Sequence, residues 1–251
     1  MINIGLFTFR ELIRQRLIHV SLFVAILFFA ISFFVGSLSM EQGSRILFHF
    51  GFSAIQITLV GISILLGSNL IPKEIERQTC LIILARPIER FQFFVGKWIG
   101  VAAVNFCVCS LLTILLWLIV GTEYSLFFFI KVGFGIFFES LILLALAFWC
   151  SQFLRPAISL FFTVGIFILG HWLTDLMYFA EKSKSDSYVL FAKIIQNVVP
   201  QLYRTDWKSF YLLEKNLISS LEFFAVTLHS FGWTILLLFL GSLTFRRKDL
   251  V

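Results

Sequence analysis

The sequence predicts an all-α integral membrane protein with six transmembrane helices and both termini in the cytoplasm. Three observations carry that expectation. Apolar residues fill 59% of 251 positions, among them 33 Phe, while only 14% are charged; that is more apolar side chain than a soluble domain of this size can bury. The apolar residues fall in runs long enough to cross a hydrocarbon layer about 30 Å thick, which asks for roughly 20 residues per helix. Lys and Arg, finally, gather on alternate connections between those runs.

The spans are expected at about 17–37, 50–71, 94–120, 132–151, 156–178 and 222–244. Arg10, Arg14 and Arg16 precede the first run, as in a signal peptide. The run is too long for such a core, however, and ends in Gly36-Ser37-Leu38-Ser39-Met40 without a clear small-x-small cleavage site, so it is expected to be retained. The side shared by the termini collects Arg10, Arg14, Arg16, Lys73, Arg77, Arg86, Arg90, Lys97, Arg155, Arg246, Arg247 and Lys248, against Arg45 and Lys131 in the short loops opposite. The segment 179–221 carries the remaining basic residues, and long translocated loops count little. The net charge of +6 follows from this topology and from contact with anionic lipid heads, and is no argument for nucleic acid.

Cysteine adds little. Cys107, Cys109 and Cys150 fall in the spans and Cys80 lies between spans, with no CxxC pair and no His at ligand spacing, so no metal site is expected.

The connection 72–93 is the polar exception. Glu74 to Lys97 holds seven charged residues, and a solvated loop accounts for most such runs. Its centre, Cys80-Leu81-Ile82-Ile83-Leu84-Ala85, is nevertheless apolar and too short to cross a bilayer, which predicts a short helix against the membrane or against protein. Glu74 and Glu76 are expected near the start of that helix, where acidic side chains suit the positive end of its dipole. Arg86-Pro87 is expected to end it. At the N-terminus Phe9, Leu12 and Ile13 form one helical stripe and Arg10 and Arg14 another, the spacing of a helix lying in the interface before the first span.

Glu76-Arg77-x-Thr79, Leu84-x-Arg86-Pro87-x-x-Arg90 and Gly96-Lys97 together resemble the cytoplasmic loop of ABC-2 type ABC transporter permeases. Two further stretches resemble the same family. These are the basic ending Phe245-Arg246-Arg247-Lys248-Asp249-Leu250, and Val199-Pro200-Gln201-Leu202-Tyr203, which is similar to a Pro-Asn-Leu segment of the NosY-like branch with Gln201 in place of the Asn. The resemblance implies one permease domain over 1–251, with the N-terminal helix as an elbow, a coupling helix in 72–93 and an outer loop at 179–221. It implies two permease copies, a homodimer or a pair with a second chain, docked on two ATPase subunits in a bacterial inner membrane and exporting a cargo. Metalloenzyme maturation, drugs, peptides and lipids all fit. Glu74, Glu76, Arg77 and Thr79 become the docking face, with Arg86 and Arg90 positioning the bend on lipid heads or obeying only the positive-inside rule. No G-x-x-x-x-G-K-[ST] loop occurs, since Gly96-Lys97 is followed by Trp98, so ATP and Mg are expected on the partner and no cofactor on this chain.

Inside the spans Glu139 stands out, because an ionised carboxylate facing lipid is costly. A pathway or dimer-seam role and a buried structural hydrogen bond both fit it. His171 and Asp175, four apart, share a helix face and either pair or snorkel to the interface. His229 fits a packed side chain better than a proton relay. Gly96-x-x-x-Gly100 permits close helix approach. Residues 188–199 predict an interfacial helix ended by Pro200. A channel or secondary transporter would also be six-spanning, but is expected to show paired membrane charges. An intramembrane hydrolase would need converging groups, and neither HExxH nor GxSxG occurs. An assembly scaffold remains a third alternative.

Overall fold

The computed structural model describes residues 1–38, 43–80, 89–120, 125–183, 186–208 and 219–247. Described regular structure is helical: α1 (Ile2–Ile13), α2 (Arg16–Leu38), α3 (Gly43–Glu76), α4 (Arg90–Val120), α5 (Leu126–Cys150), α6 (Pro156–Ser183), α7 (Asp186–Val198), a 3-10 turn (Leu202–Thr205) and α8 (Ser220–Arg247). Helices are the answer to an apolar medium, because each satisfies its own backbone groups. Among the described residues α3, α4, α5, α6 and α8 are each long and apolar enough to span a bilayer. A sixth candidate is the pair α1 and α2, long and apolar enough together and bent by 60° between them, in the place where the amphipathic N-terminus predicts an elbow.

Burial ranks these helices. Over their most apolar windows α5 is 83% and α3 72% buried, against 22% for α6 and α8, so α3 and α5 are the centre and the others are peripheral. α2 packs on α3, α1 on α4, and α8 on α5. Aromatic rings fill the seams. Phe48 meets Phe52 and Phe129 at centroid distances of 4.7 and 5.3 Å, and Phe245 of α8 meets Phe93 and Phe94 of α4 at 5.8 and 5.9 Å.

The Gly96-x-x-x-Gly100 spacing has a specific partner in α1. A Cβ on Gly100 would stand 2.6 Å from Thr8 Cβ and 2.8 Å from the Gly5 carbonyl oxygen. Small residues let these two backbones approach where a side chain would hold them apart. The elbow therefore lies directly on the first turns of α4.

One expectation about helix ends needs correction. α3 does not stop near the expected 71 but runs on through Pro72 to Glu76, so Glu74 and Glu76 close α3 rather than opening the next helix. Helix-breaking residues are tolerated in a span where neighbouring groups take up the freed backbone. The stop comes at Gln78, whose φ of 56° is left-handed, a conformation that cannot propagate a right-handed helix.

The segment after α7 does not run over the surface. Leu202, Thr205 and Trp207 are all buried, and glycines on two helices admit them. A Cβ on Gly170 of α6 would meet Leu202 Cγ at 2.8 Å, and one on Gly135 of α5 would meet the Thr205 carbonyl oxygen at 2.5 Å. Residues 200–208 thus dip between α5 and α6. α7 itself leaves Leu190, Phe191, Ile194 and Val198 exposed, the apolar face of an interfacial helix.

Candidate functional site

Two groups of polar residues stand out from this apolar bundle. The first lies where α1, the end of α3, the start of α4 and the end of α8 converge. Lys97 on α4 is only 1% exposed. Its ammonium meets the Glu74 carboxylate at the end of α3 and lies 4.0 Å from Glu11 of α1 and 5.8 Å from the Phe93 ring centre. A buried ammonium is tolerable only when paired in this way. Glu74 is thereby turned inward, away from the face expected to dock a partner.

Glu76, Arg77, Gln78 and Thr79 are exposed beside it. The Thr79 hydroxyl donates to the Glu74 carbonyl oxygen at 3.3 Å, satisfying one of the carbonyls that a helix end leaves over. Thr79 and Cys80 resume helical geometry, while 81–88, and Arg86 with them, lie outside the described residues. Arg90 donates from Nη1 to the Arg246 carbonyl oxygen at 3.1 Å. That bond ties the start of α4 to the last turn of α8, where a cation is favoured by the helix dipole.

The second group is buried about halfway along the bundle. Glu139 of α5, 1% exposed, accepts on Oε2 from the side-chain amide of Gln56 of α3 at 2.8 Å. The same amide nitrogen lies 3.3 Å from Nε2 of His171 of α6. Gln56 Oε1 in turn accepts from the Lys208 ammonium, and Lys208 lies 3.7 Å from Asp206. Lys208 and Asp206 arrive on the dipping segment that Gly135 and Gly170 admit. Glu139 follows Gly135 by one turn and His171 follows Gly170 directly, so the glycines that let the segment in also set its charges beside those two side chains.

Of the residues expected from sequence, the structure brings Glu139 and His171 together, at 3.6 Å. His171 does not pair with Asp175: its Nδ1 lies 3.2 Å from the Phe167 carbonyl oxygen, its Nε2 faces Gln56 and Glu139, and Asp175 is exposed. His229 sits on α8 beside Trp233, 6.5 Å between ring centres, as a packed side chain. Gln56, Asp206, Lys208 and the buried Lys97 were not expected. Gln56, an amide within an apolar run, was the one visible signal among them.

A nearby layer holds Asn105 of α4, which donates to the Ser63 hydroxyl of α3 at 2.7 Å and faces the Ser140 hydroxyl of α5 at 3.4 Å. Polar side chains that hydrogen-bond across helices in this way hold membrane bundles together. No group of three or more His, Cys, Asp or Glu able to hold a metal occurs among the described residues.

A helical bundle of this composition, with polar layers closed off inside it, defines a multi-pass membrane protein. The chain matches the ABC-2 family transporter protein family over residues 3–250 and belongs to it. It is therefore a membrane permease of the ABC transporter class. No curated protein matches the chain at a significant level.

Proposed function

We infer that the chain is the permease subunit of an exporter in a bacterial inner membrane, moved by a separate ATPase subunit and itself without catalytic activity. Family membership supports the ATPase partner. The geometry that best supports a coupling role is the end of α3. Glu76, Arg77 and Thr79 are exposed there, while Glu74, one turn back, is anchored through Lys97 to α4 and, at 4.0 Å, toward α1. A force applied to the exposed residues thus reaches α4 and the elbow without passing through a flexible link.

In this reading Glu76, Arg77 and Thr79 face the ATPase, Arg90 braces α4 against α8, and Glu74 transmits rather than docks. Two ATPases, two permease copies and cytoplasmic termini belong to the same proposal, with ATP and Mg held by the partner. The charge asymmetry of the connections supports the orientation. Outward transport is taken from the family resemblance.

Purification of the tagged protein from its native membrane in mild detergent, with mass spectrometry of what accompanies it, tests this. A co-purifying ATPase that is lost in the Glu76→Ala/Arg77→Ala double variant is the expected result. Absence of any ATPase after cross-linking overturns the reading.

A further inference from the structure

The elbow helix α1 divides its surface three ways. Gly5, Thr8 and Leu12 are buried, and the first two meet Gly96 and Gly100 of α4. Glu11, the only acidic residue of α1, lies beside that face and turns to Lys97, 4.0 Å away. Ile2, Leu6 and Ile13 follow one another at helical spacing along a second face and are exposed, with the partly buried Phe9 between them.

Arg10 and Arg14 run along the border of this apolar face, and Arg16 follows where α2 begins. All three are exposed. One turn separates Arg10 from Arg14, which puts their Cβ atoms about 5–6 Å apart. The other side chains three and four positions from Arg10 are Leu6, Phe7 and Ile13, all exposed. Such an arginine has its stem on an apolar surface and its head in water.

No carboxylate answers these charges. Among the described residues none of the three arginines joins an ion pair, and the one acid on α1 is turned to Lys97. Like charges one turn apart repel, so an anion brought from outside the protein relieves them. The helix dipole and positive-inside placement account for basic residues at this end of α1. They do not account for the exposed apolar side chains around Arg10.

We propose that Arg10, Arg14 and Arg16 bind the phosphate of an anionic phospholipid whose acyl chains cover Leu6 and Ile13. Guanidinium groups offer paired N–H donors to phosphate oxygens. A zwitterionic lipid carries the same phosphate but adds a cation, which three arginines repel. Because α1 is also seated on α4, a lipid held there fixes the elbow from the membrane side. This binding rests on the chain being a membrane protein and not on its coupling to an ATPase.

Native mass spectrometry of the full-length permease, titrated in detergent with phosphatidylglycerol and with phosphatidylcholine of the same chain length, tests the site. Phosphatidylglycerol is expected to bind at least about tenfold more tightly, since each basic residue near an anionic headgroup adds severalfold. Arg10→Gln/Arg14→Gln is expected to abolish that preference, and Arg10→Lys/Arg14→Lys to keep most of it. Arg246→Gln/Arg247→Gln removes two exposed charges at the end of α8 and is expected to leave the preference intact. Equal losses in the two glutamine pairs overturn the proposal, because the lipid then answers basic charge in general and not the elbow. Equal affinity for the two lipids overturns it as well. So does displacement of the lipid by an equimolar amount of glycerol phosphate, which would show that the apolar stripe takes no part. The last two outcomes are read on the wild type, so the test stands even where a variant does not fold.

Discussion

The two polar groups pair their buried carboxyl groups with different kinds of donor. At the α1–α3–α4 junction Lys97 is enclosed by Glu74, Glu11 and the face of Phe93, and a cation is surrounded by what it needs. Around Glu139 the carboxylate has one good donor in Gln56 and a second oxygen without one. Each carboxylate has one oxygen that no described residue serves, Oε2 of Glu74 and Oε1 of Glu139. The difference lies in the donor on the other oxygen, an ammonium for Glu74 and a neutral amide for Glu139. The ion-paired group, which ties α3 to α4, has the character of a mechanical joint.

The largest effect is expected from breaking the joint. Lys97→Met leaves Glu74 facing apolar surroundings with no partner, and removing one member of a buried pair typically costs about 3–5 kcal/mol. Glu74 keeps some contact with solvent, 16% of its side chain, which places the expectation near the lower end, about 3 kcal/mol. Replacing both residues, as Lys97→Met/Glu74→Met, should recover most of that loss, because well-packed apolar residues substitute for buried ion pairs at little cost. Reversible unfolding in denaturant reads both. A double variant as unstable as the single one would show that the joint is held by packing of α1 on α4 instead.

That packing has its own test. Gly100→Val forces a side chain into the space taken by Thr8 and Gly5, and overpacking of this kind costs about 1–3 kcal/mol. The strain is local to the elbow. A cysteine pair or a spin label across α1 and α4 should report their separation while α3, α5 and α6 keep their contacts. If α1 stays in place, the close approach is not what seats the elbow.

How much of this was legible beforehand depends on the range of the interaction. Hydropathy runs are local, and they located the membrane helices to within a few residues for α4 and α8. The amphipathic stripe of Phe9, Leu12 and Ile13 likewise predicted a helix that the structure bends by 60° from α2. The charged residues after 71 misled, because the onset of polarity marks where the apolar run stops and not where α3 stops, which is Glu76. Glu139 was legible because a carboxylate in an apolar run is conspicuous. Its surroundings were not, since Lys208 reaches Gln56 across 152 residues of chain and nothing in an extended, mixed-polarity loop announces that it folds back into the core. Gly135 and Gly170, which make that return possible, look like any other glycines in a membrane helix.

The smallest effects on stability are expected at the residues proposed to matter most for function, and this separates the two regions most sharply. Glu139→Gln keeps the size of the side chain and the oxygen that accepts from Gln56, and it removes the ionisable group. Replacing a buried carboxyl by an amide of the same shape costs little. The unfolding midpoint should therefore stay close to the wild-type value, while export falls if Glu139 serves the pathway. Glu76→Ala/Arg77→Ala should leave the midpoint unchanged, since exposed side chains away from packing contribute little, and should act only on retention of the ATPase. A clear drop in midpoint for Glu139→Gln would mean that the carboxyl is a structural tie like Glu74, and the contrast between an ion-paired joint and an amide-bound carboxyl would be lost.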